Sequence, residues 1–214
     1  MLDRAQRYTL YELLSYIECS HRARYRKTYD FSIDLSPLSW NIVRSLHEFW
    51  ICKLKGQVER PSALFKEIWA VGDLSEKENL VGSKIAKLIK KEPQEVIACN
   101  FPSGIWIKNI WVEIIVPVVY KDNVSLYAGC IEIPEFRPYN YIKTLYYMAL
   151  EEHASRRAVL SINPDSKDLI YSASNSQYKT AATKFLMELI RRANNPIPNT
   201  KACKDCCVTN CKFK

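Results

Sequence analysis

The chain has 214 residues, of which 48% are hydrophobic and 12% aromatic; this composition supports a buried core and excludes intrinsic disorder. Its 31 basic residues outnumber its 23 acidic ones, and the net charge of +8 favours a polyanionic partner such as nucleic acid. The sequence has no run of about eighteen apolar residues and no signal-peptide core, so we expect a soluble, cytoplasmic protein without a membrane partner. Only five glycines are present, which is compatible with a thermophilic source.

Helical patterns occupy the first part of the chain. Four helices are expected there, over residues 9–17, 36–56, 61–70 and 75–91. The first begins with a capping-box pair, Thr9 and Glu12. The second carries His47 on its apolar stripe, where a histidine is more often a core residue than a ligand.

A basic segment follows the first predicted helix. It contains Arg22, Arg24, Arg26 and Lys27, with tyrosines interleaved. One interpretation is a solvated helix face. The other is a surface that follows phosphates while aromatic rings stack on bases. On the second interpretation these four basic side chains are the candidate nucleic-acid-binding residues.

After residue 93 the hydrophobic period changes from that of a helix to that of strands. Strands are predicted over 94–100, 105–108, 110–120 and 124–133, with turns at 102–104, 108–109 and 121–123. A helix over 138–152, strands over 158–162 and 169–172, and a helix over 177–194 follow. The pattern predicts one integrated α/β domain made of a helical region (1–92), an α/β core (93–195) and a tail (196–214).

The tail concentrates cysteines, since four of the eight lie within nine positions: Cys203, Cys206, Cys207 and Cys211. Thiols crowded into a turn-rich segment are typical of metal or cluster ligands. Disulfides are the alternative, but adjacent Cys206 and Cys207 pair poorly and intracellular thiols stay reduced. Cys19 lies far from this group in the sequence. The remaining cysteines lie in apolar segments and are predicted to be buried thiols: Cys52, Cys99 and Cys130.

Four features of the sequence together resemble one nuclease family. They are a lone cysteine beside a basic helix, a helical segment with Leu46-His47, a β-hairpin core and three C-terminal cysteines. It is the RecB-like branch of the PD-(D/E)XK nucleases, and the CRISPR-associated exonucleases in particular. The resemblance extends over about residues 9–211 as an arrangement. It implies a PD-(D/E)XK α/β fold, with a central mixed β-sheet, flanking helices, an N-terminal helical subdomain and a C-terminal cysteine cluster.

The same resemblance implies a cofactor and partners. Cys19, Cys203, Cys206 and Cys211 would hold an iron–sulfur cluster, most simply 4Fe–4S, with Cys207 as a substitute for Cys206 and zinc as the alternative metal. The expected partners are single-stranded DNA or DNA ends and CRISPR adaptation proteins. Related archaeal or viral DNA processing is the other setting, and homo-oligomer formation is left open.

The nuclease motif of this family is eroded in the sequence. The resemblance implies an aspartate on one strand and Glu-x-Lys on the next, holding Mg²⁺ or Mn²⁺ against the scissile phosphate. Pro117 stands at the aspartate position, or Val116 or Val118 in neighbouring registers, and Pro134 stands at the lysine position. Glu132 and His47 remain as catalytic candidates. One carboxylate supplies too few oxygens for a hard cation, so we expect reduced or lost nuclease activity.

Two alternatives stay open. In the first, the protein is an active metal-dependent single-stranded DNA exonuclease whose ligands have moved to Glu113, Asp122 or Glu135. In the second, it is a zinc-stapled protein-interaction module whose basic residues are ordinary surface. The family's glutamine on the helix after the motif is also replaced, by Ile142, with Lys143 and Thr144 beside it.

Overall fold

A computed structural model describes residues 6–14, 16–17, 95–121, 123–131, 139–162, 170–172 and 175–196. Within these residues the chain forms one mixed sheet and three helices. The strands are β1 (Gln6–Thr9), β2 (Glu95–Ile107), β3 (Ile110–Lys121), β4 (Leu126–Ile131), β5 (Arg157–Ile162) and β6 (Ile170–Ser172). The helices are α1 (Leu10–Leu14), α2 (Tyr139–Ala149) and α3 (Ser176–Asn194). The predicted α/β class with a central mixed sheet is therefore confirmed.

The sheet runs in the order β1-β3-β4-β5-β6, and β2 pairs with β3 outside this path. The β1–β3 and β4–β5 pairs are parallel, and the other pairs are antiparallel. A parallel pair needs a crossover connection, which α2 provides between β4 and β5.

The hairpin of β2 and β3 is the longest pairing in the sheet. Its turn lies at Lys108-Asn109, as predicted, and Lys108 takes the positive φ of 53° that a tight hairpin turn favours. The predicted turn at 102–104 is wrong, because these residues lie inside β2 and pair with residues 113–115 of β3. Among the described strands β2 pairs only with β3, and proline is tolerated in such an edge strand.

One face of β3 forms the centre of the core. Its even-numbered side chains from Val112 to Tyr120 are fully buried, whereas Ile115 on the opposite face is 52% exposed. Both α1 and α2 contact β3, and α3 packs on α1 and α2. Burial alternates from Val112 to Val116 and there separates a face covered by helices from an outer face, whereas Pro117 and Val119 on the outer face are buried as well.

The first described residues form a strand and a short helix, where the sequence pattern predicts one longer helix. Residues 6–9 form the strand β1, which was not predicted, and the predicted helix over 9–17 shortens to α1. The Thr9 hydroxyl accepts a hydrogen bond from the Glu12 backbone N–H at 3.0 Å, which confirms Thr9 as the cap. Beyond α1 the chain continues in a turn closed by a 3.1 Å bond from Ile17 N to the Leu14 carbonyl.

The later elements lie within a few residues of the predicted bounds. Helix α3 begins at Ser176 because the Asn175 side chain caps it, accepting from the Tyr178 backbone N–H at 3.0 Å. Of the cysteines predicted to be buried, Cys130 is buried and Cys99 is half-buried, and Cys52 lies outside the described residues. The predicted helices over 36–56, 61–70 and 75–91 also lie outside them. No described helix is both long and apolar enough to cross a membrane.

Replacing Gly104 by alanine tests the packing of the outer face. A Cβ at this position would lie 2.3 Å from Cζ2 of Trp111 and 2.6 Å from the backbone carbonyl oxygen of Val112. We expect Gly104→Ala to lower the free energy of unfolding by about 1–3 kcal/mol, as overpacking does, in urea denaturation. Ile115→Ala on the same face is the control, with an expected change within about 0.5 kcal/mol. Equal stability of Gly104→Ala and the wild type would contradict this packing.

Candidate functional site

Strand β3 has two neighbours on one of its edges. Because β2 pairs with β3 over almost its whole length, β1 and β4 must share the other edge. There β1 pairs with residues 110–113 and β4 with residues 118–121. Residues 114–117 lie between the two, at a fork where one partner strand replaces the other.

Pro117 lies in this fork and is buried. It lies directly before Val118, the first residue along β3 that pairs with β4, where its partner is Gly129. On the β2 side the register passes from Cys99–Val118 to Phe101–Val116, and Asn100 between them has a φ of 52°. Pro117 has no N–H to donate and no side-chain oxygen. Pro117, one of the residues at which the resemblance would predict a metal-binding aspartate, therefore offers no ligand.

Glu113 was a candidate to replace that aspartate. Its side chain is exposed, and its register partners are Thr9 of β1 and Gly104 of β2. Four residues of strand separate it from Pro117, a distance of about 13 Å. Glu113 thus lies at the β1 end of the fork and cannot occupy the position of the Pro117 side chain.

The first turns of α2 also lack an oxygen ligand at the predicted position. Ile142 is 1% exposed and belongs to the core. The Thr144 hydroxyl donates to the Asn140 carbonyl at 3.0 Å, so it is already bound within the helix. Lys143 is half-buried on the same helix.

The remaining predicted site residues lie outside the described residues: Cys19, Arg22, Arg24, Arg26, Lys27, His47, Glu132, Pro134, Cys203, Cys206, Cys207 and Cys211. The substitutes Asp122 and Glu135 lie outside them as well. Across the part of the chain that is described, no three His, Cys, Asp or Glu side chains are grouped as they would be to hold a metal ion. The ligand set, the cluster and the basic segment stay predictions.

A serine–histidine contact that the sequence analysis did not find attaches α2 to β2. Ser103 Oγ donates to the Ala149 carbonyl at 2.6 Å and lies 3.2 Å from His153 Nε2. The hydroxyl has one proton, which the carbonyl accepts, so the histidine must be the donor in the second contact. Phe101 packs against the same imidazole ring, with centroids 4.9 Å apart. This pair is not arranged for nucleophilic catalysis, because the base does not accept the serine proton. It fixes the end of the helix on the sheet.

A second group, also not found from the sequence, connects α2, β5 and α3. Glu151 Oε1 contacts Arg157 Nη2 at 2.5 Å and Lys179 Nζ at 2.9 Å. The Arg157 side chain is 8% exposed and its guanidinium lies 4.7 Å from the centre of the Tyr147 ring. The hydrogen bond from Lys179, followed by the charges of Arg157 and Lys179, lowers the pKa of Glu151. Glu151, Arg157, Lys179 and Tyr147 thus hold α2, β5 and α3 together. We refer to this group as the joint around Glu151.

With this geometry the described chain can be compared with known structures. Its fold is shared with a "putative exonuclease" from Eubacterium rectale. The TM-score is 0.61 at 11% sequence identity, and the match covers 98% of this chain and 90% of the other. Identity this low shows the common fold alone.

Another similar structure is that of the protein SSO0001, with a TM-score of 0.45, 15% identity, and coverage of 96% of this chain and 85% of the other. No protein-family model and no curated protein sequence matches the chain.

The fold common to this chain and the Eubacterium rectale protein agrees with the mixed α/β organisation that the sequence predicts. It leaves the PD-(D/E)XK assignment and the boundaries at residues 92 and 195 as predictions.

The joint around Glu151 predicts a pH-dependent stability. At pH 7 we expect Glu151→Gln to lower the free energy of unfolding by about 0.5–1 kcal/mol, because Arg157 loses its charged partner while the half-exposed Glu151 is screened by water. Since the pKa of Glu151 lies below its ordinary value of 4.5, the stabilisation is present above that value. It is lost as the pH falls through the lowered pKa, so wild type and variant should converge there. Thermal melts from pH 7 to pH 2 measure this.

Glu152→Gln is the matched control, since it removes the same charge from the exposed neighbouring position. It should leave the melting temperature nearly unchanged at pH 7. If both variants lose the same stability, general surface charge would explain the effect in place of the contacts with Arg157 and Lys179.

Proposed function

We propose that the protein binds single-stranded DNA or DNA ends on a nuclease-like fold and has reduced or lost the ability to cut them. The observation that carries the proposal is the buried Pro117 at the fork of β3. Metal-dependent phosphodiester hydrolysis needs several oxygen ligands around a divalent ion. Losing one ligand and the activating lysine from such a site should slow cleavage by about 10³-fold or more.

The nucleic-acid partner is supported by charge and by fold. A net charge of +8 attracts a polyanion. The basic segment Arg22, Arg24, Arg26 and Lys27 offers phosphate contacts with tyrosines between them. The fold is shared with a protein described as a putative exonuclease. His47 and Glu132 are what remains of the motif.

The proposed cofactor is a 4Fe–4S cluster held by Cys19, Cys203, Cys206 and Cys211. It is supported by the crowding of thiols in the tail and by the one-plus-three arrangement of the resemblance. Such a cluster would join two distant parts of the chain, so we expect it to be needed for folding. The setting we propose, CRISPR adaptation or related archaeal or viral DNA processing, rests on the resemblance alone.

DNA binding without cleavage is the first prediction of this function. Fluorescence anisotropy with labelled oligo-dT should give a dissociation constant that rises with salt. Gels in Mn²⁺ or Mg²⁺ should show no degradation. Arg22→Ala and Arg26→Ala should each lower the slope of log affinity against log salt by about 0.7, because each removes one contact to the phosphates of a single strand.

Two results would contradict this function. If the wild type degrades the strand and both Glu132→Ala and His47→Ala do not, the protein is an active exonuclease with rearranged ligands. If the wild type does not bind the oligonucleotide at any salt concentration, it is not a DNA-binding protein.

Metal content tests the cofactor. Protein purified without oxygen should be brown and contain about four iron atoms per chain, the stoichiometry of one 4Fe–4S cluster. Cys19→Ser or Cys203→Ser should yield colourless or insoluble protein, because cluster assembly and folding are coupled. Cys130→Ser, at a buried thiol of the sheet, is the control that keeps the colour. Zinc in place of iron would favour the protein-interaction module, and a soluble brown Cys19→Ser variant would remove Cys19 from the ligand set.

A further inference from the structure

The outer face of the β2–β3 hairpin carries two neighbouring tryptophans. Trp106 and Trp111 are register partners near the turn, and their ring centroids are 5.2 Å apart at an interplanar angle of 55°. Trp106 is 58% exposed, although large aromatic side chains usually contribute to cores and interfaces. The two rings are tilted and are not stacked face to face, so neither ring fully covers the face of the other.

The position of this pair is determined by the backbone beneath it. The Trp111 ring lies directly over Gly104, where any side chain would collide with it. The Trp111 ring therefore lies against the sheet, and Trp106 packs beside it with more than half of its surface exposed. A rigid aromatic surface loses little conformational entropy when it binds a flat ligand.

Positive charge borders the tryptophans on two sides. Arg7 of β1 is exposed and is the register partner of Trp111, one strand spacing of about 4.8 Å away. Lys108 is exposed at the tip of the hairpin. The acidic residue in the next row of this face is Glu113, opposite Thr9 and Gly104. Two cations and two aromatic rings thus lie together near the turn, with one carboxylate further along.

We propose that this hairpin face is a platform for single-stranded DNA, on which a base stacks against Trp106 and phosphates contact Arg7 and Lys108. The inference rests on the proposed DNA-binding function and assigns part of that binding to a surface separate from the fork. Stacking on exposed aromatic rings beside basic side chains is how proteins bind single strands without reading sequence. A protein partner would be favoured by the exposed Ile115 on this face, but charge complementarity favours a polyanion, since the whole chain carries +8.

The test is oligo-dT binding to the whole chain with three variants of the platform. Trp106→Ala should weaken binding about tenfold, within the range known for the loss of one stacked base, and Trp106→Phe should retain most of the affinity. Arg7→Gln should lower the salt slope by about 0.7. Lys121→Gln is the matched control, because this exposed lysine lies ten residues from Trp111 on β3, about 33 Å away, and should leave the slope unchanged.

The outcomes separate this proposal from the function on which it rests. If the wild type binds oligo-dT and Trp106→Ala binds equally well, the platform is wrong and the DNA-binding function stands. If the wild type does not bind at all, both are wrong. If light scattering shows that Trp106→Ala breaks a dimer, the face is a protein interface and the proposal is overturned.

A second measurement keeps the proposal testable if Trp106→Ala does not fold. Ultraviolet crosslinking of the wild type to an oligonucleotide containing 5-iododeoxyuridine should label the peptide that contains Trp106. Crosslinks found only in other peptides would overturn the platform.

Discussion

The pairing of β2 with nearly the whole of β3 is the constraint on which the rest of the described structure depends. It leaves β1 and β4 a single edge to share, and it produces the fork at residues 114–117. It also exposes one face of the hairpin, because α1 and α2 contact β3 on the side where Val112 to Tyr120 are buried. The fork and the tryptophan pair are two results of one strand arrangement.

The two faces of the hairpin have different physical roles. On the inner face, the contact of Ser103 with the Ala149 carbonyl holds the end of α2 against β2, and away from the hairpin the joint around Glu151 connects α2, β5 and α3. Substitutions of these residues act through stability, since their side chains contact other parts of the fold. On the outer face, Trp106 and Ile115 are more than half exposed and can change with little loss of core packing. Ligand binding on that face can therefore vary while the fold is retained.

Local patterns in the sequence predicted most elements of the core, and non-local contacts account for what they missed. The apolar, β-branched run over 110–120 and the apolar periodicity over 177–194 predicted β3 and α3 closely, because burial in the core dominates both elements. Strand β1 was missed because its residues are mostly exposed, and its pairing with β3 spans about a hundred residues. The Pro102-Ser-Gly104 segment indicates a turn locally, but pairing along β3 overrides that preference. The contact of Ser103 with His153 has no sequence signal, since it depends on the crossover through α2.

Pro117 can also be understood from the stability of the fork without any reference to catalysis. An aspartate buried at this position would need a metal or a basic partner, because an isolated ionised carboxylate in a protein interior is strongly destabilising. Proline is uncharged and needs neither a metal nor a basic partner. The loss of its backbone N–H costs least hydrogen bonding where β3 passes from one edge partner to the other. A chain of this fold that no longer uses a metal at the fork would thus gain stability by replacing the acid with an apolar residue. DNA binding would be unaffected by that exchange, since the proposed contacts at Arg7, Trp106 and Lys108 lie near the hairpin turn, about 20 Å or more along the strand from Pro117.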